Sequence, residues 1–91
     1  MMYSIEIAPE ADKVLAKWKK SNPQLFKKFR KIYHELMDHP RTGTGHPEAL
    51  KGGNYITYSR HITAHDRIIY DIYDDEICVL VLEVEGHYKD K

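Results

Sequence analysis

Tyr3 to Ile7 alternate weakly between apolar and polar positions, which predicts a short first strand ended by Ala8-Pro9. From Pro9 the period changes. Ala11, Val14, Leu15 and Trp18 recur at helical spacing, Pro9 suits a first helical position, and Glu10 and Asp12 favour the positive end of the helix dipole. Trp18 anchors this core stripe. Ser21-Asn22-Pro23 interrupts it, with Asn22 placed to cap a second helix that begins at Pro23. Leu25, Phe26, Phe29, Ile32, Tyr33, Leu36 and Met37 give that helix one broad apolar face and carry it to about Asp38. The two helices form a hairpin.

His39 to Pro47 is rich in Gly and Pro and makes a long loop for so small a domain, and long ordered loops tend to carry function. Beyond it, Tyr55–Ile62 and Arg67–Tyr73 have the β-branched and aromatic content of strands, while Ile77–Val84 reads as a strand buried on both faces. Thr63-Ala64-His65-Asp66 and Asp74-Asp75 are expected to be tight turns. The order strand, two helices, three strands predicts an α+β fold, with a largely antiparallel sheet covered on one face by the helical hairpin. Residues 1–91 fit one domain.

Net charge is zero, but the average hides two opposed segments. Between Lys13 and Lys31 lie eight cations and no acid; between Asp71 and Glu85 lie six carboxylates and no Lys or Arg. The basic segment suits a polyanion, or is simply the solvated face of two surface helices. The lone Cys78, inside an apolar run, can form no internal disulfide and reads as a small buried hydrophobe. The N-terminal residues lack the pattern of a secretory signal, and the longest apolar run is too short to span a bilayer, so a cytoplasmic protein without membrane contact is expected.

Six histidines invite a metal hypothesis, but His34 and His39 are five residues apart, roughly 140° around a helix, rather than aligned as an i, i+4 ligand pair. No metal and no cofactor is expected. Gly43-x-Gly45 lacks the Lys-Ser/Thr ending and the preceding strand of a phosphate loop. Glu48, by contrast, follows Pro47, with Leu50 to pin the segment to the core and Lys51 to supply a cation. A carboxylate and a histidine with separated pKa values can divide base and acid work, which points to Glu48 and His87. Arg60 ends one predicted strand and Arg67 opens the next, so a hairpin is expected to bring the two guanidiniums together for an anion such as RNA phosphate. Pairing of these arginines with Asp66, Asp71 or Glu48 is the alternative. His46, His61 and His65 are assigned to loop and hairpin surfaces with no catalytic role.

The spaced set Gly43-Thr44-Gly45-His46-Pro47-Glu48-Ala49-Leu50-Lys51, Ser59-Arg60-His61-Ile62, Asp66-Arg67-Ile68-Ile69-Tyr70 and His87-Tyr88 resembles the YoeB-type toxins of the RelE/ParE superfamily, over essentially the whole chain. The resemblance implies a RelE-like sheet in which the N-terminal strand joins a three-stranded antiparallel meander. It implies a ribosome-dependent endoribonuclease that cuts mRNA in the A site and is restrained by a cognate, YefM-like antitoxin, with self-association as a homodimer. Glu48 would take the proton of a ribose 2′-OH, Arg67 would stabilise the phosphorane-like charge, His87 would protonate the leaving 5′ oxygen, and Tyr88 would orient or stack. Lys51 and Arg60 would hold phosphates. Lys27, Lys28 and Lys31, on the basic helices, offer a surface for ribosomal RNA. The chain departs from the family's Trp-Ser-Arg-Arg pattern with Tyr58-Ser59-Arg60-His61, and it continues past His-Tyr with Lys89-Asp90-Lys91. A noncatalytic gyrase-targeting toxin of the ParE kind and a simple RNA-binding module are the competing readings.

Overall fold

A computed structural model describes residues 2–50 and 56–85. The helices form as the pattern dictates. Helix α1 spans Pro9–Ser21, with Pro9 at its start, Glu10 and Asp12 in its first turn and Lys19 and Lys20 in its last. Helix α2 spans Pro23–Asp38, and the Asn22 side chain accepts a hydrogen bond from the Leu25 N–H at 3.3 Å. Ala11, Leu15 and Trp18 of α1 are buried with Leu25, Phe29, Ile32 and Leu36 of α2.

The sheet has five strands: β1 (Ser4–Ile7), β2 (Glu48–Ala49), β3 (Thr57–His61), β4 (Arg67–Tyr73) and β5 (Cys78–Glu85), in the spatial order β1-β5-β4-β3-β2. β2 through β5 run antiparallel, as a three-strand meander with a short edge strand added, and β1 lies parallel to β5. Ile68, Tyr70, Ile72, Val79, Val81 and Val84 point to the helical hairpin and are nearly inaccessible, so helices and sheet share one core. Cys78 is buried and unpaired.

Three expectations change. Glu48, for which no strand is expected from the sequence, lies on one, because its two-residue stretch pairs with Ser59 and Tyr58. The last strand is not buried on both faces: Val79, Val81 and Val84 are inside, whereas Leu80 and Leu82 are half-buried and Glu83 is exposed. Its apolar run hid a period-2 asymmetry, since only one face carries helices. The β4–β5 connection is longer than an Asp-Asp turn; it is a 3₁₀ turn over Asp74–Glu76, closed by Ile77 at φ 51°. The Thr63–Asp66 turn is as expected, with the Thr63 hydroxyl accepting the N–H groups of His65 and Asp66 at 3.0 Å each and donating to Asp66 Oδ2 at 2.6 Å.

Candidate active site

Period-2 alternation and the strand register decide which polar groups share a face. Ser59 stands opposite Glu48 on one side and Ile69 on the other; His61 stands opposite Arg67, which in turn stands opposite Glu85. Glu48, Ser59, His61 and Arg67 therefore project from the sheet face that the helices do not cover. Glu48, His61 and Arg67 are exposed and Ser59 is buried. Two strand spacings and a two-residue offset separate the backbones of Glu48 and Arg67 by roughly 12 Å. Between them on the same face lie Ser59 and His61 of β3.

Arg60 lies on the opposite face, and its expected phosphate contact is corrected by the structure. It pairs with Ile68, points into the core and is 1% exposed. Every nitrogen of its guanidinium is occupied: Nη1 donates to Glu35 Oε1 at 2.9 Å, Nη2 to the carbonyls of His39 (2.8 Å), Thr42 (2.9 Å) and Pro40 (3.3 Å), and Nε to the Tyr70 hydroxyl at 3.4 Å. Arg60 and Arg67 do not meet, because an odd number of positions along a hairpin with this register puts them on opposite faces. The salt-bridge partner of Arg60 is Glu35 on α2, a residue to which spacing assigned nothing.

This arginine organises the long loop. Tyr70, whose phenol burial pushes up in pKa, donates to the Pro40 carbonyl at 2.7 Å, and the Glu35 carboxylate accepts the Thr44 N–H (2.9 Å) and hydroxyl (2.7 Å). Burial alone would raise the Glu35 pKa, but the two Thr44 hydrogen bonds and the charges of Arg60 and Lys31 outweigh it and hold the carboxyl below its usual range. The two loop glycines serve this packing. Gly43 and Gly45 have φ of 117° and 88°; a Cβ on Gly43 would press on Glu35 Oε1, and one on Gly45 would collide with the His61 carbonyl oxygen. The Gly-x-Gly signal thus marks close approach of the loop backbone to the Arg60–Glu35 pair and to β3. Beside it, Arg41 makes a two-pronged pair with Asp74 at 3.2 and 2.7 Å, and the Tyr3 hydroxyl donates to the same carboxylate at 2.6 Å. Hydrogen bonds from Arg41 and Tyr3 hold Asp74 below the ordinary carboxylate range.

Of the remaining expected site residues, Lys27, Lys28 and Lys31 are exposed on α2, in keeping with a solvated basic surface. Lys51, His87 and Tyr88 lie outside the described residues. Leu50 is half-buried and donates its N–H to the Thr57 carbonyl at 3.0 Å, which ties the Glu48 segment to β3. His61, assigned only to the surface, is the cation-capable neighbour of Arg67 on the uncovered face. The signal that could have found it was parity, since His61, not Arg60, shares the alternation of Ser59.

The fold is shared with known toxins. A YoeB/ParE toxin from Agrobacterium tumefaciens superimposes with a TM-score of 0.83 at 24% identity, over 93% of this chain and 99% of that one. The toxin in a YoeB–YefM complex from Staphylococcus aureus gives 0.80 at 24% identity, over 97% and 100%. In sequence, the chain is 31% identical over 71 residues to Toxin YoeB of Escherichia coli O6:H1 (strain CFT073), covering 78% of this chain and 82% of the relative. With the loop glycines, Glu48 and Arg67 all inside residues 8–88, the stretch that matches the model of the YoeB-like toxin of bacterial type II toxin–antitoxin systems, the chain belongs to that family.

Proposed function

We propose that this toxin cleaves mRNA on the ribosome without a metal ion, by attack of a ribose 2′-OH on its own phosphodiester. Ribosome-dependent mRNA cleavage is the activity of RelE/YoeB-type toxins. In the proposed step Glu48 accepts the 2′ proton as the 2′ oxygen bonds to phosphorus. Arg67 carries the growing negative charge of the phosphorane, and the bond to the 5′ oxygen breaks as His87 delivers a proton to it. The products are a 2′,3′-cyclic phosphate and a 5′-OH. Tyr88 orients or stacks on the reacting nucleotide, and Lys51 holds a phosphate.

The observation that carries this reading is the common placement of Glu48 and Arg67 on the uncovered sheet face, with their backbones roughly 12 Å apart. β5 supports it further, because Glu85 stands opposite Arg67 and the chain runs on in sequence to His87 and Tyr88. Arg60 is not part of the proposal. The exposed cations Lys27, Lys28 and Lys31 are the proposed contact with ribosomal RNA. A YefM-like antitoxin is the proposed restraint, by likeness to the S. aureus toxin found in complex with YefM.

The test maps RNA ends after incubating purified protein with ribosomes and message. Cyclic or 3′-phosphate ends are expected, with cleavage lowered roughly 10²- to 10⁴-fold by Glu48→Ala or His87→Ala while ribosome binding persists. Undiminished cleavage in both variants, or gyrase poisoning without cut RNA, would refute the mechanism.

A further inference from the structure

We infer that Glu35, Thr44 and Arg60 act together as a positioning cluster that fixes Glu48 for its work as base, an inference that rests on the endoribonuclease reading above. Glu35 stands near the end of α2 and reaches the loop with both carboxylate oxygens. Oε1 accepts from the Thr44 N–H and from Arg60 Nη1, each at 2.9 Å, and Oε2 accepts the Thr44 hydroxyl at 2.7 Å. Arg60, from β3, grips the same loop through the carbonyls of His39, Pro40 and Thr42. One residue past Thr44, the Gly45 carbonyl accepts the His61 N–H at 2.8 Å.

The segment is thus held from the helix side by Glu35 and from the sheet side by Arg60 and His61. Glu48 follows Gly45 by three residues, through His46 at φ 54° and the φ-restricted Pro47, and then pairs with Ser59, the neighbour of Arg60 in β3. Little freedom remains between the cluster and the carboxylate. Glu48 itself sits on a two-residue edge strand, too short to hold its own register. Its placement therefore depends on the loop that leads into it as well as on the Leu50 bond to Thr57 that follows. None of the three cluster residues needs to touch RNA, so each is a positioning residue.

Arg60 is a poor probe because its loss endangers the fold, whereas Thr44 is exposed and Glu35 only partly buried. Thr44→Val removes the hydroxyl bond and keeps the side-chain shape; Glu35→Gln removes the charge and keeps the length. Single-turnover cleavage on preformed ribosome–mRNA complexes separates the rate at saturating toxin from the half-saturating concentration. Misplacement of a reacting group by about 1 Å costs on the order of 10²-fold in rate, so a partial loosening should lower the saturating rate about tenfold in both variants. The half-saturating concentration should stay within about twofold, since the contacts that bind the complex are untouched. Thr44→Ser should restore the rate lost in Thr44→Val, and amide exchange of Thr44–His46 should quicken in the valine variant while α1 and α2 keep their protection.

An undiminished saturating rate in Thr44→Val and Glu35→Gln would overturn the inference. So would a loss that appears only in the half-saturating concentration, which would mark these residues as binding contacts. The parallel Glu48→Ala measurement keeps the two levels apart: if it abolishes cleavage while the cluster variants do not, positioning fails and the endoribonuclease reading stands. If Glu48→Ala cleaves normally, Glu48 is not the base, and the positioning inference falls with that assignment.

Discussion

Replacing Arg60 by alanine separates two roles that an arginine in this motif can have. A phosphate-binding arginine at the surface, when removed, weakens RNA binding in a salt-dependent way and leaves the fold unchanged. The buried arginine of this structure, with a side chain fully shielded from solvent, leaves five acceptors behind: the Glu35 carboxylate, the Tyr70 hydroxyl and the carbonyls of His39, Pro40 and Thr42. Breaking a buried ion pair by removing one partner costs ~3–5 kcal/mol. Thr42 is exposed and Glu35 partly so, which lets water recover some of the loss and favours the lower end. Against a total stability of roughly 5–14 kcal/mol for a chain of 91 residues, about 3 kcal/mol is a large share. At ~4–8 °C per kcal/mol for a domain of this size, Tm should fall by at least about 12 °C. Differential scanning calorimetry on the purified variant reads this directly, with far-UV circular dichroism to check that the helices remain below the transition. A Tm within about 3 °C of the parent, together with weakened, salt-sensitive RNA binding, would refute the argument and return Arg60 to the RNA-binding surface.

Gly45→Ala should lower stability by about 2–3 kcal/mol, from the left-handed backbone and the lost bond to the His61 N–H, and chemical denaturation should show it as a shift in midpoint without a change in slope. Neutralising Lys27, Lys28 and Lys31 together should weaken ribosome binding and flatten its salt dependence in a sedimentation assay, with Tm nearly unchanged because all three are exposed. Acid should act through Glu35. Its folded pKa is depressed, so the stability it contributes is complete above its ordinary value of about 4.5 and is lost as pH falls through the lower folded value. The Tm difference between the parent and Glu35→Gln should therefore be constant from pH 7 down to about 5 and shrink below 4.5; a difference that grew on acidification would contradict the assigned direction.

The local sequence determined the elements. Helical periodicity, Pro9, the Asn22-Pro23 cap and the punctuation at His39–Pro47 fixed where α1 and α2 begin and closely where they end, because helix formation is decided by contacts within a few positions. Four of the five strands were legible in kind and nearly in extent, the edge strand at Glu48–Ala49 was not, and the toxin family was legible from the spacing of Gly43, Gly45, Glu48 and Arg67. What the tertiary structure alone decided was which face each polar residue takes and what it meets there. Arg60 and His61 are adjacent and polar, and only Arg60 was expected to hold a phosphate, yet Arg60 is sealed against Glu35 and His61 stands beside Arg67. That choice depends on register with β2 and β4, and on a carboxylate 25 residues away whose only local signature is that of a helix surface. Shifting a strand by one residue exchanges its two faces, so parity tells which residues of a strand share a face, while pairing between distant segments decides which of the two faces meets the core.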